Sequence, residues 1–214
     1  MEFMLEIVKQ LLSGFGLNML LFFTTLAGGI PLGLVVMFGY RTRVKPVAWL
    51  FKLLVWIIRG TPLMLQLMAV YFLPSLLFGH TFSREMAAVI AFIVNYACYF
   101  AEIYRGGLES IPRGQYEAGQ VLGMTRSQVF FRVVLMQVVK RIVPPMGNEV
   151  ITLIKDTSLA NIISVAEIIM TSERFLAKGM LWPFFSTAIF FLVFNGIVTV
   201  LLARLEKKLD YYKS

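Results

Sequence analysis

Cysteine and histidine are almost absent from this sequence, at one residue each in 214. A lone Cys98 cannot close an internal disulfide. It lies in an apolar run, where a cysteine behaves as a small buried residue rather than a reactive one. A lone His80 provides neither a Ser-His pair nor a histidine metal cluster. Acidic residues are also scarce, 12 against 20 Lys and Arg, and too scattered for a metal site. Gly114 and Gly119 have the spacing of a P-loop, but Gln120 and Val121 stand where Lys and Ser/Thr are required, so nothing would neutralise phosphates or hold magnesium. No enzyme activity, metal or bound cofactor is therefore expected of the chain. Tandem repeats and low-complexity tracts are missing. A cleavable leader is not expected either: Glu2, Glu6 and Lys9 make a poor basic start, and the apolar run that follows is too long.

What is present is apolar surface. The chain is 58% hydrophobic, with a mean hydropathy of +0.78. A soluble domain of this length is nearer half apolar, so the excess belongs in lipid. The net charge of +8 points to nucleic acid in a soluble domain. Here the basic residues lie between apolar runs, which is the pattern of cytoplasmic loops in a membrane protein. No nucleic-acid partner is expected.

The pattern predicts an all-α protein with five membrane spans in one domain, 1–214. Residues 3–12 read as a short amphipathic helix at the membrane surface, with Phe3, Ile7, Leu11 and Leu12 on one side. The spans fall at about 15–38, 61–78, 84–105, 137–157 and 181–204. In the first, Gly29 and Gly33 form a Gly-x-x-x-Gly that lets another helix approach closely. Pro46 to Phe78 is too long for one span and carries Lys52 and Arg59. Laying 46–58 along the interface and breaking the chain at Arg59-Gly60-Thr61-Pro62 avoids burying those charges. That break is read as a helix stop that can also serve as a gate or subunit contact. Ser83 is placed to cap the third span. Residues 158–180 read as an outer loop with a short helix. Arg41, Arg43 and Lys45, then Arg105, Arg113, Arg126 and Arg132, then a tail with Arg204, Lys207, Lys208 and Lys213, alternate with poorer loops. The basic side is cytoplasmic by the positive-inside rule, which puts the N-terminus outside and the C-terminus inside.

A polar island interrupts this chain from Ile111 to Val150. Pro112 suits a helix start, Gly123 a left-handed stop, and Thr125 with Gln128 a capping box that restarts a helix. The result is a short helix at about 113–123, a sharp turn, and a second helix leading into span four. The plain reading is a solvated loop. The mechanical reading is a projecting part that docks on another protein, with Glu117 and Arg126 as contacts.

Polar residues inside the spans are the other feature. Asn95 is near the centre of span three, with Tyr99 one turn on. Glu149 is near the centre of span four, with Asp156 two turns on and on the same face. An ionisable group at that depth needs a partner, a watery cavity or a proton. Asn95, Tyr99, Glu149 and Asp156 together suit the amino group or cationic side chain of an amino acid. The structural alternative is glue: Asn95 bonded to a neighbouring helix, and Glu149 paired with Lys140 or Arg141.

The run Glu117-Ala118-Gly119, then Gly123, then Val133 to Pro144 resembles the EAA loop of ABC-importer permeases, in the branch that moves polar amino acids (the histidine, glutamine and arginine permeases). The third position is Gly119 rather than Ala, and Leu135-Met136-Gln137 replaces the usual Leu-Pro-Gln. Arg59–Leu63, Ala101–Gly107 and Leu153–Leu159 are further family-like runs in the same order. The resemblance implies that Glu117, Ala118, Gly119, Gly123 and Arg126 form the coupling helix region that meets an ATPase. It implies two ABC ATPase subunits that carry the ATP and Mg, and a second permease copy or sister subunit forming a dimer. An external substrate-binding protein and a bacterial cytoplasmic (inner) membrane setting complete the expectation. Two other readings stay open from the residues alone. One is an ion-driven secondary carrier without an ATPase, and the other a structural or assembly protein of the membrane.

Overall fold

The computed structural model describes residues 2–209, so the tail residue Lys213 lies outside the described residues. Helices account for nearly all of it, and among the described residues there is no strand. In chain order they are α1 (Glu2–Tyr40), α2 (Lys45–Gly60), α3 (Leu63–Phe78), α4 (Arg84–Glu109), α5 (Arg113–Val121) and α6 (Arg126–Val129). A π-helical segment (Phe130–Val134) then leads into α7 (Leu135–Asp156). A 3-10 segment (Thr157–Ile163), α8 (Ile168–Leu176) and α9 (Trp182–Leu209) complete the order.

The central element is α4. Ser83 starts it, its hydroxyl accepting the Met86 N–H at 3.1 Å. Its small residues Ala87, Ala88, Ala91, Ala97 and Ala101 are buried and let neighbours come close. Helix α1 packs along it most extensively, at the Gly-x-x-x-Gly. A Cβ on Gly33 would lie 2.9 Å from Phe100 Cβ and 3.1 Å from the Ala97 carbonyl oxygen. Large side chains fill the rest of this core: Leu21, Phe22, Phe92, Tyr96, Phe100, Leu153 and Ile154 are all nearly sealed from solvent.

One expectation is corrected here. The surface helix 3–12 and the span 15–38 are a single helix of 39 residues with Pro31 inside it. Ile7 and Leu11 do not face a membrane surface; they are buried in a small core with Ile168 and Phe175 of α8, while Phe3 and Leu12 stay exposed. The amphipathic stripe was matched to another part of the same protein, which a local pattern does not distinguish from lipid.

Helices α2 and α3 meet at a bend of 112°. Thr61 and Pro62 are extended at the joint, because Gly60 and a proline both stop the α2 ladder. By length and composition, α1, α4 and α9 are apolar enough to cross a membrane, and the bent α2–α3 pair makes a fourth when counted as one span. Helix α7 carries Lys140, Arg141, Glu149, Lys155 and Asp156 and does not qualify on that measure. Long apolar faces remain uncovered, above all on α9, where Phe185, Ile189, Leu192, Val193 and Ile197 are exposed. Surface of this kind suits lipid or a second membrane chain.

Candidate functional site

The cavity of interest lies where the α2–α3 break meets α4 and the far half of α7. It has a volume of about 390 Å³ and is lined by Thr61, Pro62, Leu63, Asn95, Tyr96, Tyr99, Glu149, Thr152, Asp156 and Leu159. Asn95, Tyr99, Glu149 and Asp156, separated by up to 61 positions in the chain, thus share one space, and Thr61 and Pro62 join them. Arg59 sits at the margin. Its guanidinium is 5.3 Å from the centroid of the Tyr99 ring and 3.7 Å from a Glu102 carboxylate oxygen.

Each wall is held by a specific bond. Tyr96 donates its hydroxyl to Asp156 Oδ2 at 2.8 Å, which fixes one carboxylate oxygen. Tyr96 itself is 1% exposed and stacks on Phe92. On the other side, Asn95 Nδ2 donates to Gln66 Oε1 at 2.9 Å. Gln66 in turn donates to the carbonyls of Ile58 at 2.8 Å and Thr61 at 3.1 Å and to the Thr61 hydroxyl at 3.0 Å. Those carbonyls are the orphan acceptors that a broken helix end leaves behind. Asn95 therefore does two things: it borders the cavity and it secures the residue that staples the α2–α3 break. Glu149 is half-buried, and it makes no ion pair with Arg141, whose guanidinium donates instead to the Ser110 carbonyl.

Two carboxyl groups, two tyrosines and an amide line this cavity, with one guanidinium at its margin. It suits a ligand with a protonated amine and some polar surface, of the size of an amino acid. No group of three or more His, Cys, Asp or Glu among the described residues is placed to hold a metal ion.

Sequence reasoning missed Tyr96 and Gln66. The signal for Gln66 was a polar residue in an otherwise apolar run beside a helix break. For Tyr96 no local signal existed, since its partner lies sixty residues away.

The second site is the turn between α5 and α6. The capping box is closed in both directions: the Thr125 N–H donates to Gln128 Oε1 at 2.9 Å, and the Gln128 N–H donates to Thr125 Oγ1 at 3.3 Å. Gly123 has a φ of +72°, the left-handed stop. Glu117, Ala118 and Arg126 are exposed. Gly119 is buried instead, and a Cβ there would lie 2.5 Å from Val129 Cγ2, so it serves the close packing of α5 on α6. The most exposed apolar side chains of this turn are Val121 at 87% and Leu122 at 77%, neither of which the sequence pattern singled out. Gln137 Nε2 bonds Gln115 Oε1 at 3.1 Å and ties α5 to α7. Val121 and Leu122 thus form an apolar knob on a capped, cross-bonded helix pair rather than on a loose loop.

An all-helical, lipid-compatible chain with a charged cavity among its helices and a rigid knob at one end belongs to the class of membrane transport subunits. The family model described as "binding-protein-dependent transport system inner membrane component" matches residues 29–211, and the chain belongs to that family. Among curated relatives, the L-cystine transport system permease protein TcyB of Bacillus subtilis (strain 168) is 36% identical over 188 residues, covering 86% of this chain and 80% of the relative. The arginine transport system permease protein ArtQ of the same organism is 32% identical over 205 residues, covering 94% and 93%. A solved structure described as an amino acid ABC transporter with histidines superposes with a TM-score of 0.86 at 27% identity, over 96% of both chains. The chain is thus a polar amino acid permease of the ABC-importer type. The family's component is the membrane one, which does not itself hydrolyse ATP.

Proposed function

We propose that this chain is the membrane subunit of an ATP-driven importer of polar amino acids, and that the cavity between α2–α3, α4 and α7 is its substrate site. The observation that carries this reading is the cavity's composition: Glu149 and Asp156 on one helix face, Tyr99 and Asn95 opposite, and a broken helix at its mouth. Glu149 and Asp156 meet the amino group or a cationic side chain of the substrate, Tyr99 and Asn95 border it, and Arg59 with Gly60, Thr61 and Pro62 forms the gate. Two carboxyl groups in the cavity favour a cationic amino acid over a neutral one.

In this reading α7 is the fourth of five spans. Glu149 and Asp156 face the cavity and Lys140 and Arg141 lie toward the cytoplasmic end, which is why composition alone does not select it. The N-terminus lies outside and the C-terminus in the cytosol of a bacterial inner membrane. A second copy or a sister subunit supplies another five spans. Two cytosolic ATPases bind the ATP and Mg and receive the α5 knob through Val121, Leu122, Glu117 and Arg126. An external binding protein delivers substrate at the loops 79–85 and 158–180. Closure of the ATPase pair drives the knobs together and opens the cavity outward; hydrolysis resets it. An ion-driven carrier has no use for the capped knob, which disfavours that alternative.

The test is ATPase activity in proteoliposomes that hold this chain with its ATPase, with a binding protein and a panel of L-arginine, L-lysine, L-histidine, L-glutamine and L-cystine added in turn. Stimulation by one class supports the reading and identifies the substrate. A stable complex that responds to none of them removes the amino-acid site, and no complex at all removes the docking role given to the α5 knob.

A further inference from the structure

Three polar side chains behind the cavity are completely buried, on three different elements. Asn18 is on α1, Thr157 begins the 3-10 segment immediately after Asp156, and Glu167 caps α8; each has 0% exposure. Asn18 Nδ2 donates to Thr157 Oγ1 at 3.0 Å and to Glu167 Oε2 at 3.2 Å, and Asn18 Oδ1 accepts the Ile168 N–H at 3.1 Å. Thr157 donates to the Ile154 carbonyl at 2.8 Å. Glu167 also accepts the N–H groups of Ile169 at 3.0 Å and Met170 at 2.8 Å. Gly14, one turn before Asn18, makes this approach feasible. A Cβ there would lie 2.8 Å from Thr171 Oγ1 and 3.0 Å from the Ile168 backbone. Burial pushes the Glu167 carboxyl above the usual carboxylate range, and its three N–H donors work against that shift.

Apolar side chains of similar volume would stabilise the same junction at least as well, since buried charge is costly to desolvate. What a satisfied polar trio adds is direction: each bond fixes the rotation of the groups it joins. The group fixed here is Thr157, which is covalently next to Asp156. In a helical turn neighbouring side chains diverge by roughly 100°, as 3.6 residues per turn requires. Asp156 therefore faces the cavity while Thr157 faces α1.

We propose that Asn18 and Glu167 are positioning residues for the substrate cavity. Through Thr157 they hold the end of α7 in the rotation that presents Asp156 to the ligand. This rests on the reading of the cavity as the amino-acid site.

The experiment compares uptake KM and Vmax in the reconstituted importer for wild type, Asn18→Ala, Asp156→Asn and the double variant, using whichever amino acid of the panel stimulates the wild type. Misplacing a ligand group from a distance costs about tenfold to a hundredfold. Asn18→Ala is expected to raise KM by about tenfold with Vmax little changed, and to add almost nothing in the Asp156→Asn background, because both act through one carboxylate. A full additional loss in that background, or a wild-type KM for Asn18→Ala, overturns the inference. Where Asn18→Ala does not assemble, the exchange Asn18→Asp/Glu167→Gln carries the test, since it keeps one negative charge and reverses the donors. An assembled exchange variant with a near-wild-type KM supports the role. One that assembles with a KM as poor as that of Asn18→Asp alone, or fails to assemble, overturns it. A wild type that responds to no amino acid refutes the site itself and is distinct from all of these outcomes.

Discussion

Replacing Glu149 by glutamine keeps the size and planar shape of the side chain and removes its charge. In the cavity the carboxylate is half-buried and has no partner in Arg141, so the loss falls on the ligand rather than on an internal ion pair. Two unit charges 4 Å apart interact by about 4 kcal/mol at an effective dielectric of 20. The open side of the cavity screens part of that, and a hydrogen bond to a charged group contributes about 1.5–3 kcal/mol net. At about 1.4 kcal/mol per factor of ten, the expected loss is roughly tenfold to a hundredfold for a substrate whose cationic side chain meets Glu149. A neutral amino acid presents only its α-ammonium, which Asp156 serves as well, and its loss should be several-fold smaller. The assay is competition uptake in proteoliposomes, L-arginine or L-lysine against L-glutamine, with the yield of assembled complex measured in parallel. Equal losses for both classes, or failure to assemble, would refute the reasoning and make Glu149 a structural residue.

Leu122→Asp places a charge on the apolar knob, where 77% of the residue is exposed, so folding should survive while co-purified ATPase falls severalfold or more; unchanged recovery would move the docking contact elsewhere. Gly33→Leu drives a side chain into Phe100 and the Ala97 carbonyl, and overpacking of about 1–3 kcal/mol should lower the thermal midpoint and yield of the purified chain; a wild-type melting curve would show that α1 and α4 do not meet this closely. Deleting Val139 from the regular helix of α7, just beyond the Gln115–Gln137 bond, rotates α5 and α6 by roughly 100° about the axis of the rest of α7. Substrate-stimulated ATPase should be lost, and coupled uptake by the deletion variant would refute a rigid link through this segment.

The parts of this molecule that the sequence made legible are those set by local chemistry. Ser83, Thr125 with Gln128, Gly123 and the Gly60–Pro62 break are each written in a few adjacent residues, and each stands where the pattern put it. Glu149 and Asp156 could be placed on one face because seven residues is a helical repeat. What was not legible depends on distant partners. The stripe of Ile7 and Leu11 looked like a surface helix because the α8 residues that cover it come a hundred and sixty positions later. Asn18 and Glu167 gave no signal, since an asparagine near the start of an apolar run acquires meaning only when Thr157 is found beside it. Gly119 was read with the exposed contacts because its motif position was visible and Val129 beneath it was not.

The geometry also shows where a displacement at one end would be taken up before it reaches the other. From Arg126 to Asp156 the chain is helical without interruption, through α6, the π-helical segment and α7, a rod of roughly 45 Å at 1.5 Å per residue. One end is locked to α5 by a core of Ile111, Val129, Val134 and Val138 and by the Gln115–Gln137 bond. The other end is locked to α1 and α8 by the buried Asn18–Thr157–Glu167 trio. Between them Pro144 and Pro145 remove two N–H groups, so the carbonyls of Lys140 and Arg141 lose their helical donors and the rod is weakest there. A push on the α5 knob would bend the helix at that point. Glu149 lies just beyond it, on the side of the bend that is held, and so does Asp156. A hinge between the two locks would move the knob while leaving both carboxylates in register, and the proline pair, short of two N–H donors, is the place for one.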